Sequence, residues 1–295
     1  MPPILSIIIV AYKSIHEIGD CIASLPRTLQ GRDVQIIIVD NYPQDGIQEL
    51  IQSPFPHVTY IDPDKNLGFG KANNLGFNKS SGEHILFLNP DTIGNDKALE
   101  HCIARLQQDA SIGLITPKLT MLNGEMDLAC RRSIPSLWDG FCRASGLATR
   151  FNSNKLFSGY NLTHLPENES YEVGAINGAF MMTRRKDLEK IGLFDEDFFM
   201  YGDDLDLCYR FSLANLKIVY DGRFSFTHIK GQSVSKDYEK MSKAIFDTNK
   251  AFYLKHFNPR NRIHIRLKYN IAFGAWKTVA LLKAKLRRSK QVKPV

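Results

Sequence analysis

The segment LSIIIVA, residues 5–11, consists mostly of β-branched residues and has no charged side chain. A strand buried on both faces has this composition, whereas a strand with one solvated face alternates apolar and polar residues. A second run of this kind, VQIIIV at residues 34–39, comes after a helical pattern at residues 15–30. Two buried strands joined by a helix form the repeating unit of a parallel sheet. The opening segment therefore predicts an α/β fold.

The alternation of strand and helix signals continues along the chain. The further predicted strands are residues 57–61, 84–88, 114–116, 175–183, 217–220 and 223–227. The further predicted helices are residues 46–52, 69–79, 96–108 and 187–191. Residues 121–172 show no regular pattern. Repeated βα units predict a mostly parallel, doubly wound sheet flanked by helices, with ligands at the carboxyl ends of its strands.

The composition excludes several classes of protein. The chain has 295 residues, of which 43% are hydrophobic and 23% charged, as is typical of globular domains and not of disordered chains. Its five cysteines include no CxxC pair, which argues against a disulfide framework and a cysteine zinc site and favours a reducing cytoplasm. The N-terminus has neither a basic region nor a small-residue cleavage site, so we expect no signal peptide.

The positive charge is concentrated at the C-terminus. Residues 260–295 contain eleven Lys or Arg and no acid, which exceeds the net charge of +7 for the whole chain. The weakly charged window at residues 269–282 is shorter than the roughly 20 apolar residues that span a bilayer. We expect a basic amphipathic helix in the membrane interface, with Phe273 and Trp276 at headgroup depth. An exposed solvated helix and a nucleic-acid-binding arm are the alternatives.

Polar residues follow two of the predicted strands. Asp40 and Asn41 end one strand, and Asn89-Pro90-Asp91 follows another. Asp40-Asn41 has donors and acceptors for a base edge, and Asp91 suits a divalent metal that substrate phosphates also hold. Asx-turns and helix caps are the ordinary alternative for such residues.

Two further stretches have unusual composition. In NLGFGK, residues 66–71, two glycines allow a close backbone approach to a ligand just before a helix N-terminus. The stretch FFMYGDDLDLCYR, residues 198–210, places three aspartates beside aromatic residues. One explanation is structural, because acids at the first turn of a helix are stabilised by the helix dipole. Carboxylates beside apolar groups, however, also have raised proton affinities.

Together these motifs resemble a known family. Their order and spacing are similar to those of GT-A-fold, family 2 inverting glycosyltransferases, in particular the rhamnosyltransferase-like branch that builds bacterial surface polysaccharides such as O-antigen. The matching segments are SIIIVAYKS (6–14), VDN (39–41), NLGFGKANN (66–74), LNPD (88–91), GAFMMTRR (178–185), FDEDFFMYGDDLDLCYR (194–210) and the histidine at 228.

The resemblance implies roles for individual residues. Asp204 matches the general base, and Asp203 beside it stands where the family usually has Glu. The residues implied in nucleotide-sugar binding are Ala11, Tyr12, Asp40, Asn41, Asn66, Gly68, Lys71 and Asn89. Of these, Asp40 resembles the acid that reads the pyrimidine base.

The resemblance also implies a divalent cofactor, Mg²⁺ or Mn²⁺. Asp91 matches the last acid of the family's metal-binding DxD motif, and Asn89 replaces the first acid. His228 matches a histidine that acts at the metal or at the diphosphate. Asp206 is expected to support the following helix or a nearby arginine.

From the resemblance we expect a domain at residues 1–255, divided into a nucleotide-sugar-binding half (1–120) and an acceptor and catalytic half (121–255), followed by a membrane-associating tail (256–295). The expected reaction moves a sugar, with rhamnose as a candidate, from a dTDP- or UDP-sugar to a lipid-linked glycan at the inner face of the cell membrane. Nucleic acid is not an expected partner. The alternatives are a non-catalytic membrane-associated nucleotide-sugar-binding protein and a nucleotidyltransferase.

Overall fold

The computed structural model describes residues 1–229, 238–258, 260 and 262–291. The chain divides into two compact units, of which unit 1 comprises Met1–Arg132 and Pro166–Ser233, and unit 2 comprises Ser133–Leu165 and Val234–Val295. Unit 1 contains all the residues predicted for the site. The functional division into residues 1–120, 121–255 and 256–295 stays a prediction.

Unit 1 is an α/β unit. Its strands are β1 Leu5–Ala11, β2 Thr28–Leu29, β3 Arg32–Asp40, β4 Val58–Ile61, β5 His84–Leu88, β6 Thr92–Ile93, β7 Ile112–Thr120, β8 Ser170–Val173, β9 Phe180–Arg184 and β10 Lys217–His228. Its helices are α1 Ile18–Ala23, α2 Ile47–Gln52, α3 Phe69–Asn78, α4 Asp96–Gln108, α7 Arg185–Ile191 and α8 Asp203–Leu213. Helices α5 and α6, which come between α4 and α7 in the sequence, belong to unit 2.

One mixed sheet joins these strands in the order β2-β3-β1-β5-β9-β7-β10-β6, with β4 paired to β3 and β8 paired to β10. Strands β4, β3, β1 and β5 are mutually parallel, as the repeated βα units predict. Strand β9 lies antiparallel between β5 and β7, and β6 and β8 are antiparallel to β10. The predicted α/β architecture is therefore confirmed, with a parallel half and a mixed half.

The core is centred on β1. Ile7, Ile8 and Ile9 are fully buried, and both edges of their strand are paired. Full burial of one such side chain contributes about 1.5–3 kcal/mol. In the parallel register Ala11 is opposite Asp40, so the polar ends of neighbouring strands meet at one edge of the sheet.

Several predicted elements differ in extent. The strand predicted at residues 175–183 is Phe180–Arg184, and the one predicted at 114–116 is Ile112–Thr120. The helix predicted at residues 15–30 is only Ile18–Ala23, because Pro26 and the short strand β2 follow it. The strands predicted at 217–220 and 223–227 are one strand, β10, with a register shift between Asp221 and Ser225. The region predicted to be irregular contains helices, described next.

Unit 2 is helical in its described part. Its helices are α5 Leu137–Ser145, α6 Leu147–Arg150, α9 Tyr238–Phe257 and α10 Ile263–Gln291. Ser136 and Asp139 form a capping box that starts α5, a signal that the sequence contains within its unpatterned segment.

An aromatic cluster joins the helices of unit 2. The ring centroid of Phe273 lies 5.5 Å from that of Tyr253 and 4.8 Å from that of Trp276. A Cβ added to Gly140 would lie 2.1 Å from the Trp276 ring, so α5 can approach this ring only with glycine at that position. Phe273 is 5% exposed, so the prediction that it lies at headgroup depth is wrong. Its ring is removed from water by packing within the aromatic cluster and not by a membrane.

The exposed apolar residues of α10 lie elsewhere. Ile263, Leu267 and Ile271 are 82%, 56% and 64% exposed and recur every four residues, so they share one face. No helix in the described part of the chain combines the length and apolar character needed to cross a membrane. All five cysteines are buried and free.

Candidate active site

Asp40 ends β3 and is fully buried. Its Oδ1 accepts a hydrogen bond from the Tyr42 backbone N–H and its Oδ2 one from the Tyr60 hydroxyl, both at 2.9 Å. Burial raises the pKa of Asp40, and these two hydrogen bonds oppose the rise. Each carboxylate oxygen can accept a second bond. Tyr60 is a partner that the sequence did not indicate, and the role of Asp40 in base recognition stays a prediction.

An aromatic and cationic corner lies beside the end of β1. Tyr12 is 39% exposed, and its ring meets that of Tyr42 edge to face at 5.7 Å between centroids. The Lys13 ammonium lies 4.9 Å from the centre of the Tyr42 ring. A flat base can stack on such rings, and the ammonium attracts an anion. Tyr12 directly follows Ala11, and the nucleotide contact of both residues stays a prediction.

Asn41 fixes the glycine-rich loop to the sheet. Its backbone N–H donates to the Ala11 carbonyl at 2.8 Å. Its side-chain amide donates to the Gly68 carbonyl at 3.0 Å, and its side-chain oxygen accepts from the Leu67 N–H at 3.1 Å. The Asn66 side chain accepts from the Gly68 N–H at 2.8 Å. The side chains of Asn41 and Asn66 therefore shape the loop.

The glycine-rich loop also contacts the segment that precedes α8. Gly68 has φ +78°, and a Cβ there would lie 2.2 Å from the Phe199 carbonyl oxygen. That carbonyl accepts from the Phe69 N–H, the first of α3, at 3.2 Å. Lys71 on α3 pairs with Glu196 at 3.1 Å. The helix N-terminus predicted to favour phosphate thus has one N–H satisfied by the protein itself.

Asp91 and His228 come together through the pairing of β6 with β10. Thr92 is opposite His228 in this antiparallel pair, and the Ile229 N–H donates to the Asp91 carbonyl at 2.8 Å. The His228 Nε2 lies 3.3 Å from Asp91 Oδ1. Before β6, the Asn89 carbonyl accepts from the Thr92 hydroxyl at 2.9 Å and its N–H donates to Ala179, so the Asn89 backbone fixes this turn.

A second carboxylate holds the other nitrogen of the imidazole ring. Asp127 Oδ2 lies 3.0 Å from His228 Nδ1, and both residues are buried. Burial opposes the charge of His228, but the hydrogen bonds and charges of Asp127 and Asp91 outweigh it and raise its pKa to about 9. At neutral pH the imidazolium therefore bridges two carboxylates, and a metal would displace its Nε2 proton.

The pair Asp91–His228 has the chemistry of a partial metal site. His228 Nε2 and Asp91 Oδ1, 3.3 Å apart, are an imidazole nitrogen and a carboxylate oxygen, and both kinds of atom bind divalent cations. Within the described residues there is no cluster of three or more His, Cys, Asp or Glu side chains that could hold a metal. Mg²⁺ is commonly held by one or two protein carboxylates, with substrate phosphates and waters completing the shell. The residues thus fit a cation that arrives with a diphosphate.

Asp203 is the first residue of α8 and is 3% exposed. Its Oδ1 accepts from the Asp204 N–H at 3.0 Å, and its Oδ2 is buried with no hydrogen-bond partner among the described residues. Burial, followed by the charge of Asp204, raises the pKa of Asp203 to about 7. Asp203 therefore holds a proton at a pH where an exposed aspartate is ionised.

Asp204 forms an ion pair. Its Oδ2 lies 2.5 Å from a guanidinium nitrogen of Arg132, which also donates to the Ile176 carbonyl at 2.8 Å. Its Oδ1 accepts from the Leu205 N–H at 2.7 Å. The guanidinium balances the Asp204 charge and fixes the carboxylate. Asp206 pairs with Arg210 at 2.7 Å, as predicted.

A continuous set of contacts connects the two predicted acidic centres. Asp127, which holds His228, also accepts from the Asn177 side chain at 3.3 Å. The carbonyl of the preceding residue, Ile176, accepts from the Arg132 that pairs with Asp204. The segment from Asp127 to Arg132 therefore contacts the Asp91–His228 pair at one end and the acids of α8 at the other.

Neither end of this segment was predicted from the sequence. Asp127 and Arg132 lie in the region without helical or strand periodicity, and a single charged residue in such a region carries no signal of its partners. The only local hint is the turn Leu128–Cys130, for which Asp127 is the N-cap. Tyr60 lies in the strand predicted at residues 57–61 and Glu196 in the segment 194–210, but neither pattern indicates a partner for the side chain.

Comparison with known proteins gives the following matches. Residues 6–123 match the model of the family "Glycosyl transferase family 2". An N-acetylglucosaminyl-diphospho-decaprenol L-rhamnosyltransferase of Mycobacterium tuberculosis is 25% identical, covering 80% of each chain. The rhamnosyltransferase WbbL of Escherichia coli is 28% identical, covering 75% of this chain and 82% of WbbL.

The fold also resembles solved structures. A mannosyltransferase from Pyrobaculum calidifontis, solved with GDP-Man and Mn²⁺, superposes with a TM-score of 0.58 at 14% identity. The match covers 100% of this chain and 77% of that chain. At this identity the likeness shows the fold, which is of the GT-A kind.

Proposed function

We propose that this protein is an inverting glycosyltransferase, because residues 6–123 match the model of the family "Glycosyl transferase family 2". It moves a sugar from a dTDP- or UDP-sugar to a hydroxyl of a lipid-linked glycan. The observation that carries the proposal is the chain of contacts from the Asp91–His228 pair through Asp127 and Arg132 to Asp204. These contacts connect the Asp91–His228 pair, which can bind a metal, with the oriented carboxylate of Asp204 within unit 1.

Asp204 is the general base in this proposal, and Arg132 orients its carboxylate. The acceptor hydroxyl gives its proton to Asp204 as its oxygen forms a bond to the anomeric carbon. The bond between that carbon and the diphosphate breaks, and the electron pair leaves with the nucleoside diphosphate. Attack and departure occur on opposite faces, so the configuration inverts without an enzyme nucleophile. Asp203, which is protonated up to about pH 7, limits the repulsion between the two acids.

The donor lies along the carboxyl ends of β1, β3 and β5. Tyr12, Asp40 and the loop after Asn66 bind the nucleotide, and Lys71 contributes positive charge near the phosphates. Asp91 and His228 hold Mg²⁺ or Mn²⁺, which when bound neutralises charge on the leaving diphosphate. The mannosyltransferase of similar fold contains Mn²⁺, which supports this cofactor.

The acceptor and sugar are proposed from the relatives. One relative is named as a rhamnosyltransferase that acts on a diphospho-decaprenol-linked sugar, and another as a rhamnosyltransferase. We therefore favour rhamnose, or a hexose of similar size, and a polyprenyl-diphosphate-linked acceptor. Such an acceptor is confined to a membrane, so the enzyme works at the cytoplasmic face of that membrane.

Helix α10 is the proposed membrane contact. It exposes Ile263, Leu267 and Ile271, and Arg262, Arg266 and Lys268 are interspersed with them in the sequence. Apolar side chains with flanking cations fit the interface of an anionic bilayer.

The test is transfer of radiolabelled sugar from dTDP-rhamnose, and from a panel of UDP-sugars, to a polyprenyl-diphosphate-linked acceptor. Asp204→Asn keeps the size of the side chain and should lower the rate by about 10²–10⁴-fold with donor binding intact. Asp197→Asn is the matched control, because Asp197 is an exposed acid of the same stretch.

The outcomes separate the alternatives. Full activity of Asp204→Asn would show that Asp204 is not the general base. Donor binding without turnover on every acceptor would favour a nucleotide-sugar-binding protein. Pyrophosphate release from a nucleoside triphosphate would identify a nucleotidyltransferase.

A further inference from the structure

Asp127 is a buried carboxylate that neither composition nor motif singled out. It is 1% exposed. Its Oδ1 accepts from the Ala129 N–H at 3.1 Å. Its Oδ2 contacts His228 Nδ1 at 3.0 Å and accepts from the Asn177 side-chain amide at 3.3 Å. Both oxygens are engaged from several directions, so the carboxylate has a fixed orientation.

The fixed carboxylate determines which nitrogen of His228 carries a proton. An ionised carboxylate can only accept hydrogen bonds, so the Nδ1 that faces Asp127 must be protonated. The other nitrogen, Nε2, faces Asp91 at 3.3 Å and is the one that can offer a lone pair. Metal-binding histidines commonly donate their second N–H to a carboxylate, which sets the tautomer and the ring orientation.

We propose that Asp127 is a positioning residue for metal binding, because it holds the His228 ring with Nε2 directed at the cation beside Asp91. The inference rests on the proposed function, in which Asp91 and His228 hold the divalent cation. Asp127 itself is 3.0 Å from the far nitrogen of the ring and acts on the cation through His228.

The substitution Asp127→Asn separates this role from folding. An asparagine side chain keeps the size and can still cap the turn at Ala129, but it has one acceptor oxygen. With that oxygen on the Ala129 N–H, the new amide faces Asn177 and His228. The Oδ1 of Asn177 has no partner among the described residues and can turn to accept from it. His228 Nδ1 then becomes an acceptor, and the ring proton lies on Nε2, where it blocks metal binding.

The experiment measures Mn²⁺ affinity of the full chain from the electron paramagnetic resonance signal of free Mn²⁺. Mn²⁺ alone is the probe, and no turnover is needed. We expect Asp127→Asn to weaken binding by about 10–100-fold. His228→Ala tests the ligand itself. Asp206→Asn is the control, since it removes another buried carboxylate of unit 1, one that pairs with Arg210 and not with His228.

The outcomes distinguish the role of Asp127 from the assignment of His228 as a metal ligand. Weaker binding by Asp127→Asn and His228→Ala, with Asp206→Asn close to wild type, supports the inference. Wild-type affinity of Asp127→Asn, while His228→Ala binds weakly, overturns the inference alone. Wild-type affinity of His228→Ala overturns the metal assignment in the proposed function, and the inference with it.

A second measurement covers the case in which Asp127→Asn does not fold. Nitrogen-15 spectra of histidine-labelled wild-type protein with Mg²⁺ report which ring nitrogen of His228 is protonated. The His228→Ala spectrum identifies the signal. A protonated Nδ1 with a metal-bound Nε2 supports the inference, and the reverse arrangement overturns it.

Discussion

Asp203→Asn should change how the stability of the protein depends on pH. Asp203 is 3% exposed, and one of its oxygens has no hydrogen-bond partner among the described residues. The folded protein must either keep a proton on this carboxyl or bury a charge beside Asp204. Asparagine has the same shape and no charge at any pH, so in the variant position 203 neither binds a proton nor buries a charge.

The sign follows from the direction of the pKa shift. Folding raises the pKa of Asp203 from 3.8 to about 7, so the folded state binds the proton more tightly than the unfolded state. The stabilisation of the wild type by this proton is fully present below about pH 4 and is lost as the pH rises through about 7. From about pH 5.5 to about pH 8.5 the loss amounts to about 2 kcal/mol. Relative to wild type, the variant should gain that amount.

The assay is guanidinium denaturation of both proteins at the two pH values. Far-UV circular dichroism is the suitable signal, because the two tryptophans, Trp138 and Trp276, both lie in unit 2 and their fluorescence does not report on Asp203. The quantity of interest is the free-energy difference between variant and wild type at the higher pH minus the same difference at the lower pH. This double difference cancels groups that titrate alike in both proteins.

The control is Asp96→Asn. Asp96 is also the first residue of a helix, α4, but it is exposed, so the same chemical change there lacks the burial. The reasoning is refuted if the double difference for Asp203→Asn is below about 0.5 kcal/mol or equals that of Asp96→Asn. In either case burial would not govern the proton at position 203.

Two further predictions concern the loop and the last helix. Gly68→Ala should destabilise unit 1 by about 3 kcal/mol or more in the same denaturation assay, since φ is +78° and a Cβ would lie 2.2 Å from the Phe199 carbonyl oxygen. Gly124→Ala, with φ +83° and open space, is its control, and equal losses would contradict the clash. Leu267→Glu should weaken pelleting of the full chain with anionic vesicles about tenfold more than Asn270→Glu, because it also loses apolar burial in the bilayer. Equal losses would mean that Leu267 does not insert.

Much of the parallel half of the sheet was predictable from local pattern. The uninterrupted runs ending at Ala11 and Asp40 indicated buried strands, and the structure pairs these two residues in register. The reason is that a β-branched run without polar alternation fits only a strand covered on both faces. The same pattern placed Asp40 and Asn41 at the end of a strand, whereas the contact of Asn41 with the loop at Gly68 was not predicted.

The sequence pattern predicted less well where a side chain has a partner within the protein. Asn41 was expected to bind the nucleotide, which stays a prediction, and its side-chain amide holds the loop through Leu67 and Gly68. Phe273 was expected in a membrane interface, and it is buried against Tyr253 and Trp276. In both cases a partner within the protein competes with the predicted nucleotide or membrane, and the sequence does not show which residue that partner is.

By itself, the sequence determined the order of strands β1, β3, β4 and β5 and which polar residues follow them, because these depend on burial periodicity within a few residues. Tertiary structure decided which charged groups meet. His228 reaches Asp127 across 101 positions of sequence, and Arg132 reaches Asp204 across 72. Such contacts depend on how β10 and α8 pack against a segment that has no periodicity of its own, and a charged side chain carries no local mark of the partner that neutralises it.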